Sequence, residues 1–176
     1  MSPEEILEIL KSKFPDYSFS LDNSLPVDFF IVVDPLKLPE ICTFLRVDEK
    51  LQFDTLMNLS GVDDNNAVKE KDEEGNEKLV GRTLSVYYHL DSMTLNHKLN
   101  LKVSVPIEKP KVESVESVWK CADWHEREAY DMFGLIFLNH PNLERILMPY
   151  DWEDGSYPLR KDFETPEFYN GMKIPY

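Results

Sequence analysis

The chain has 176 residues, 42% hydrophobic and 12% aromatic, enough for one domain with its own core plus tails. A net charge of −14 argues against nucleic-acid binding, which needs a basic face, and against electrostatic adhesion to anionic lipid. No apolar run approaches the roughly 18–20 residues of a membrane span, and two distant cysteines, Cys42 and Cys121, form no disulfide framework and fit a reducing compartment.

Ser2-Pro3-Glu4-Glu5 predicts a helix start, with Ser as N-cap and acids near the positive dipole end. Ile6, Leu7, Ile9 and Leu10 make that helix amphipathic up to Phe14-Pro15. The same segment is acidic and has neither a basic n-region nor an Arg-rich character. It reads as neither a secretory signal nor a transit peptide, and the expectation is a cytosolic, bacterial protein. Tyr17 to Leu21 alternates and predicts a half-buried strand; Val27 to Val33 predicts a more buried one. Asp34-Pro35 is expected to cap a helix from about Leu36 to Val47, with Pro39 in its first turn and Ile41, Phe44 and Leu45 inward.

Phe53 to Val62 predicts a strand. Asp63 to Lys78, polar and charged, predicts an exposed, mobile acidic hairpin loop. Leu79 to Leu90 and Lys98 to Pro106 predict a strand pair joined by a turn around Asp91 to His97. Residues 107–111 read as a linker, and Val112 to Val118 as the beginning of a helical stretch leading into a helix over about 119–134 that stops at Gly134. Together these elements predict an α+β fold: a mixed or antiparallel sheet with helices packed on one face, over residues 1–138. From residue 139 to 176 the prolines Pro141, Pro149, Pro158, Pro166 and Pro175 leave no room for packed elements. That stretch predicts an extended tail, too apolar to be ordered alone and therefore ordered on a partner. A chain cut after Asn139 should on this reading keep a folded body.

Four chemistries can be weighed on the residues present. Two cysteines cannot supply the four thiolates of an iron–sulfur cluster; Cys42 reads as core and Cys121 as interface. His89, His97, His125 and His140 lack a ligand spacing such as H-E-x-x-H, and His140, before a proline, reads as a turn anchor. Neither a dinucleotide nor a P-loop glycine pattern occurs. Glu126-Arg127-Glu128 with Asp131 could be drawn as an acid–base site, but on a helix it reads better as a salt-bridge network, within the domain or to a partner, with Arg127 reaching Asp131 at i, i+4. Arg145, Arg160, Lys161 and Asp162 read as forks gripping a partner's carboxylates or carbonyls. Catalytic, cofactor-binding and metal residues are all expected to be absent.

The stretch from Trp119 to Phe163 carries one further signal. Trp124, Glu126-Arg127-Glu128, Asp131, Phe133-Gly134, Phe137, His140-Pro141, Arg145-Ile146-Leu147 and the run Pro158-Leu159-Arg160-Lys161-Asp162-Phe163 stand in a telling order and spacing. The pattern closely resembles the C (30-kDa) subunit family of NADH:quinone oxidoreductase, respiratory complex I. Asn142, Glu144, Met148 to Trp152 and Ser156-Tyr157 depart from the usual pattern and bear on local contacts. The resemblance implies a compact α+β domain with no redox centre of its own. It implies a place in the peripheral arm, on the cytoplasmic side of the bacterial membrane, bracing the D (49-kDa) subunit. B- and I-type iron–sulfur subunits and other peripheral-arm subunits would be neighbours, and FMN, iron–sulfur clusters and quinone would sit on partners. The signature residues are then expected at the partner interface, in a chain of the unfused form. The alternatives are the equivalent subunit of an energy-converting hydrogenase or of an F420H2- or ferredoxin-fed oxidoreductase, a stand-alone enzyme using Glu126 or Asp131, and a free adaptor.

Overall fold

The structure, a computed structural model, describes residues 1–22, 29–71 and 77–174. Helix α1 (Pro3–Lys13) begins as Ser2 predicts: Ser2 Oγ accepts the Glu5 N–H at 3.3 Å and Glu5 Oε2 accepts the Ser2 N–H at 2.8 Å. Strands β1 (Ser20–Asp22) and β2 (Phe30–Val32) are shorter than their alternation predicts, and Val27 and Asp28 lie outside the described residues. Helix α2 (Leu38–Val47) starts two residues later than expected. Asp34 Oδ1 accepts the Leu36 N–H at 2.8 Å, so Asp34 shapes the turn before the helix and does not cap it.

Strand β3 (Thr55–Asp63) carries a bulge between Leu56 and Asn58, which puts Leu56 and Leu59 on the same buried face three residues apart and turns Met57 out to solvent. The acidic stretch is corrected on two counts. Strands β4 (Val68–Lys71) and β5 (Glu77–Val80) pair as an antiparallel ribbon, with 72–76 outside the described residues. Asp63, taken as the first loop residue, ends β3 and is buried. Strands β6 (Thr83–Ser92) and β7 (His97–Pro106) pair along their full length, placing Val86 opposite Val103, Tyr88 opposite Leu101 and Leu90 opposite Leu99 on the core face.

Residues 112–118 are not helical, contrary to expectation. Strand β8 (Lys111–Glu113) pairs in parallel with β9 (Ile136–Leu138), which flanks helix α3 (Ala122–Phe133) on its far side. Val112, β-branched, fits the strand opposite Phe137, and both are buried. The main sheet runs β1-β2-β7-β6-β3, antiparallel except for β2 against β7. With the three helices it forms the α+β fold that the periodicity predicts. A single cluster joins Ile6 and Leu10 of α1, Ile41 and Leu45 of α2, Ala129 and Met132 of α3, and the inward residues of β3, β6 and β7. The C-terminal segment ends in a two-stranded ribbon, β10 (Phe168–Tyr169) with β11 (Met172–Lys173).

Candidate functional site

Helix α3 and the segment after it are built for each other. The helix stops at Gly134, whose φ of 72° suits a residue without Cβ; a Cβ there would also collide with the Tyr157 ring. Beyond a helix end the last carbonyls lack intrahelical donors. Here the C-terminal segment supplies them: the Leu159 N–H donates to Met132 O at 3.2 Å, and Arg160 Nε donates to Phe133 O at 2.7 Å. Arg160 also lies over the Tyr157 ring, 4.2 Å from its centroid, and its cation sits at the negative end of the helix dipole.

Asp131 is wholly buried and faces the same segment. One oxygen accepts from Arg145 Nη1 at 3.1 Å; the other accepts the N–H groups of Ile146, Leu147 and Met148 at 3.1, 2.8 and 2.9 Å. Three consecutive amides converging on one carboxylate oxygen form an anion nest, here filled from the chain's own helix. Arg145 bridges on to Asp154 at 3.1 Å. Asp63 plays the same part for the next stretch: Arg82 pairs with it, and the Lys161 N–H donates to Oδ2 at 2.9 Å. Arg82 also grips Asp162 with both terminal nitrogens, at 2.8 and 3.0 Å. Burial opposes ionisation of Asp63, but the Arg82 hydrogen bond and the amides of Lys161 and Asn65 outweigh it and hold its pKa down at about 2.

Glu126 is also wholly buried. Ser114 Oγ donates to Oε2 at 2.6 Å and the Val115 N–H to Oε1 at 2.8 Å. Burial dominates and pushes its pKa up to about 7, against the lowering by those two donors. Nearby, the buried His140 ring accepts the Asn142 N–H on Nδ1 at 3.1 Å, so this histidine anchors the turn before Pro141 and Asn142.

These positions correct the sequence reading. Arg127 does not pair with Asp131; its Nε donates to Glu144 O at 3.1 Å and its guanidinium lies over Trp124. The acids of the signature are not one helix-surface network: Glu126 and Asp131 point inward, away from Glu128, which is exposed. With Phe137 buried as well, these three side chains face the chain's own interior. Arg145, Arg160 and Asp162 hold groups of this chain. The signature therefore brings together Glu126, Asp131, Phe133, Gly134, His140, Arg145 and Leu159 to Asp162 as an internal lock. It leaves Trp124, Glu128, Leu147 and Leu159 with outward surface. Sequence reasoning missed Asp63, Arg82 and Ser114, whose partners lie 12 to 98 positions away and leave no periodic trace.

Cys42 is buried in α2, and burial raises its thiol pKa; Cys121 is exposed at the start of α3. Among the described residues, no three or more His, Cys, Asp or Glu side chains are grouped to hold a metal ion. A cleft of about 280 Å³ lies between β3 and α3, lined by Ser60, Gly61, His125, Glu128 and Leu159 among others. It is small beside ordinary ligand pockets.

A profile of the family described as respiratory-chain NADH dehydrogenase, 30 Kd subunit, matches residues 31–169, from β2 through the lock to β10. The NADH-quinone oxidoreductase C subunit of Chloroherpeton thalassium is 44% identical over 174 residues, 98% of this chain and 65% of that protein. The namesake from Chlorobium phaeobacteroides is 39% identical over 170 residues, 96% of this chain and 93% of that protein. The chain thus spans just under two thirds of the first relative and nearly all of the second. Among solved structures, the trypsin-resistant fragment (1-134) of Nqo5 superposes with a TM-score of 0.56 at 26% identity, covering 80% of this chain and 98% of that one. A chain of the membrane-bound sulfane sulfur reductase, an archaeal respiratory membrane complex, superposes with a TM-score of 0.60 at 23% identity, covering 92% and 85%, a likeness of fold alone.

Proposed function

Since the chain belongs to the 30-kDa subunit family of respiratory-chain NADH dehydrogenase, we propose that it is a scaffolding subunit of the peripheral arm of an NADH:quinone oxidoreductase. In this reading it carries no catalytic centre or cofactor, lies on the cytoplasmic side of the membrane, and braces the D (49-kDa) subunit, with B- and I-type subunits as neighbours. No helix among the described residues is long and apolar enough to cross a membrane, which suits a peripheral position.

One observation carries the reading. Asp131, Arg145 and Arg160 of the signature are used in fastening the C-terminal segment to α3, and among the side chains which that segment turns outward are several large apolar ones. Tyr150 is 95% exposed, and Leu147, Leu159, Phe168 and Met172 are each more than half exposed. Internal anchoring fixes a backbone path without using the outward side chains, and aromatic and Met side chains held on a fixed path are what protein interfaces use. Exposed apolar surface of this kind marks an interaction site in a stable chain.

The test is substitution on the outward side only. Tyr150→Ser with Phe168→Ser should leave the melting temperature of the isolated chain nearly unchanged and sharply reduce its co-purification with the D-type subunit from a native membrane extract. The amount of assembled complex should fall while turnover per assembled complex stays constant. Full co-purification, or a loss of turnover in fully assembled complex, overturns the scaffold reading.

A further inference from the structure

The lock contains one buried acid that fastening alone does not explain. Glu126 on α3 meets Ser114 and Val115 from the turn after β8, and His140 from the turn after β9. His140 Nδ1 accepts the Asn142 N–H, so in the neutral ring the proton sits on Nε2. That nitrogen lies 3.2 Å from Asp123 Oδ1 and 3.9 Å from Glu126 Oε2, yet makes no hydrogen bond of acceptable geometry to either. The other titratable groups facing Glu126 are Glu116 on the same turn, Asp123 on α3, Tyr88 on β6 and Cys42 on α2. All four are acids, so each opposes a charge on Glu126 when ionised, and none can compensate one.

We infer that Glu126 and His140 form a proton-operated latch at the root of the C-terminal segment: a proton held on Glu126 keeps the 139–142 turn seated on α3, and its loss to solvent releases that turn. With Glu126 protonated, the carboxyl is neutral and the Asn142 bond to His140 Nδ1 is made. When the proton leaves, a buried carboxylate remains beside Asp123. Only the Ser114 hydroxyl and the Val115 N–H are placed to stabilise it, and the His140 ring of the 139–142 turn covers it on another side. A charge left in the interior without a cation favours opening of the turn that covers it.

The direction follows from linkage. The closed state binds the Glu126 proton more tightly than the open, solvated state, so closure is favoured at low pH. It weakens as pH rises from the ordinary carboxylate range towards neutrality, and levels off above it. The latch concerns the isolated chain. Its consequence for assembly, that the outward apolar face is presented in one orientation only while the turn is seated, rests on the scaffold reading above.

Amide hydrogen exchange of the full chain tests it, corrected for intrinsic exchange and compared with Glu126→Gln, which is neutral at every pH. Between pH 5 and 7.5 the opening constant at the Asn142 amide, taken as the ratio of wild type to Glu126→Gln, should rise about tenfold or more. A ratio constant within about twofold overturns the latch, and so does a pH dependence shared equally by the β6 and β7 amides, which would report global unfolding. Should Glu126→Gln fail to fold, Ser114→Ala removes the hydroxyl donor from the charged form and should steepen the dependence at Asn142; an unchanged profile overturns the latch. Because the readout needs no partner, its failure leaves the co-purification test standing, and the reverse also holds.

Discussion

Asp131 does not pair with Arg127 of its own helix; it is held by Arg145 and three successive amides 14 to 17 positions further along. Replacing it with Ala strands a largely buried guanidinium and three N–H groups together. Asp131→Ala should therefore cost about 3 kcal/mol or more in chemical denaturation, and free the 145–148 amides to exchange. Glu126 makes stability depend on pH. Its pKa is raised by burial to about 7, so the folded state holds a proton that the unfolded state has already lost. Stability should then fall as pH rises from about 4.5 to 7, by about 3 kcal/mol in all from this group, and level off above. Glu126→Gln should remove that slope, as urea melts at pH 5 and 7.5 would show. Asp63, held low by Arg82, works the other way: its contribution is present above the ordinary carboxylate range and is lost as pH falls towards 2.

Helix α3 depends on a sequence it does not contain. Its last carbonyls are capped by Leu159 and Arg160, and Gly134 beside them is covered by Tyr157. A chain cut after Asn139 loses these donors, the nest on Asp131 and the Lys161 amide on Asp63. Sequence alone leads one to expect an undisturbed body after that cut. These contacts point instead to a chain about 2 kcal/mol less stable, melting about 5–7 °C below the full one. Calorimetry of the two chains decides. The edge strand β3 is served by the same helix. Gly61 lets Phe133 approach so closely that a Cβ would stand 2.8 Å from its Cδ2, so α3 seats against β3 only because residue 61 has no side chain.

At the scale of the whole molecule, buried carboxylates and their cations gather where the C-terminal segment meets the body, while Leu147, Tyr150, Leu159, Phe168 and Met172 of that segment keep exposed apolar surface. On the scaffold reading proposed above, those side chains are what the segment offers to a neighbour. What the sequence by itself determined was the family, from residues fixed in order and spacing, and the elements with strong local codes: the Ser2 capping box, the alternation of β7, and the stop at Gly134. Those features are short-range, so neighbouring residues suffice to specify them. Only the tertiary structure decided that Glu126 and Asp131 face inward, that Asp63 ends a strand and does not open a loop, and that Arg145 and Arg160 of the signature bond groups of this chain. Each of those outcomes depends on a partner tens of residues away, where hydrophobic periodicity says nothing and only the closed fold brings acid, amide and guanidinium into reach.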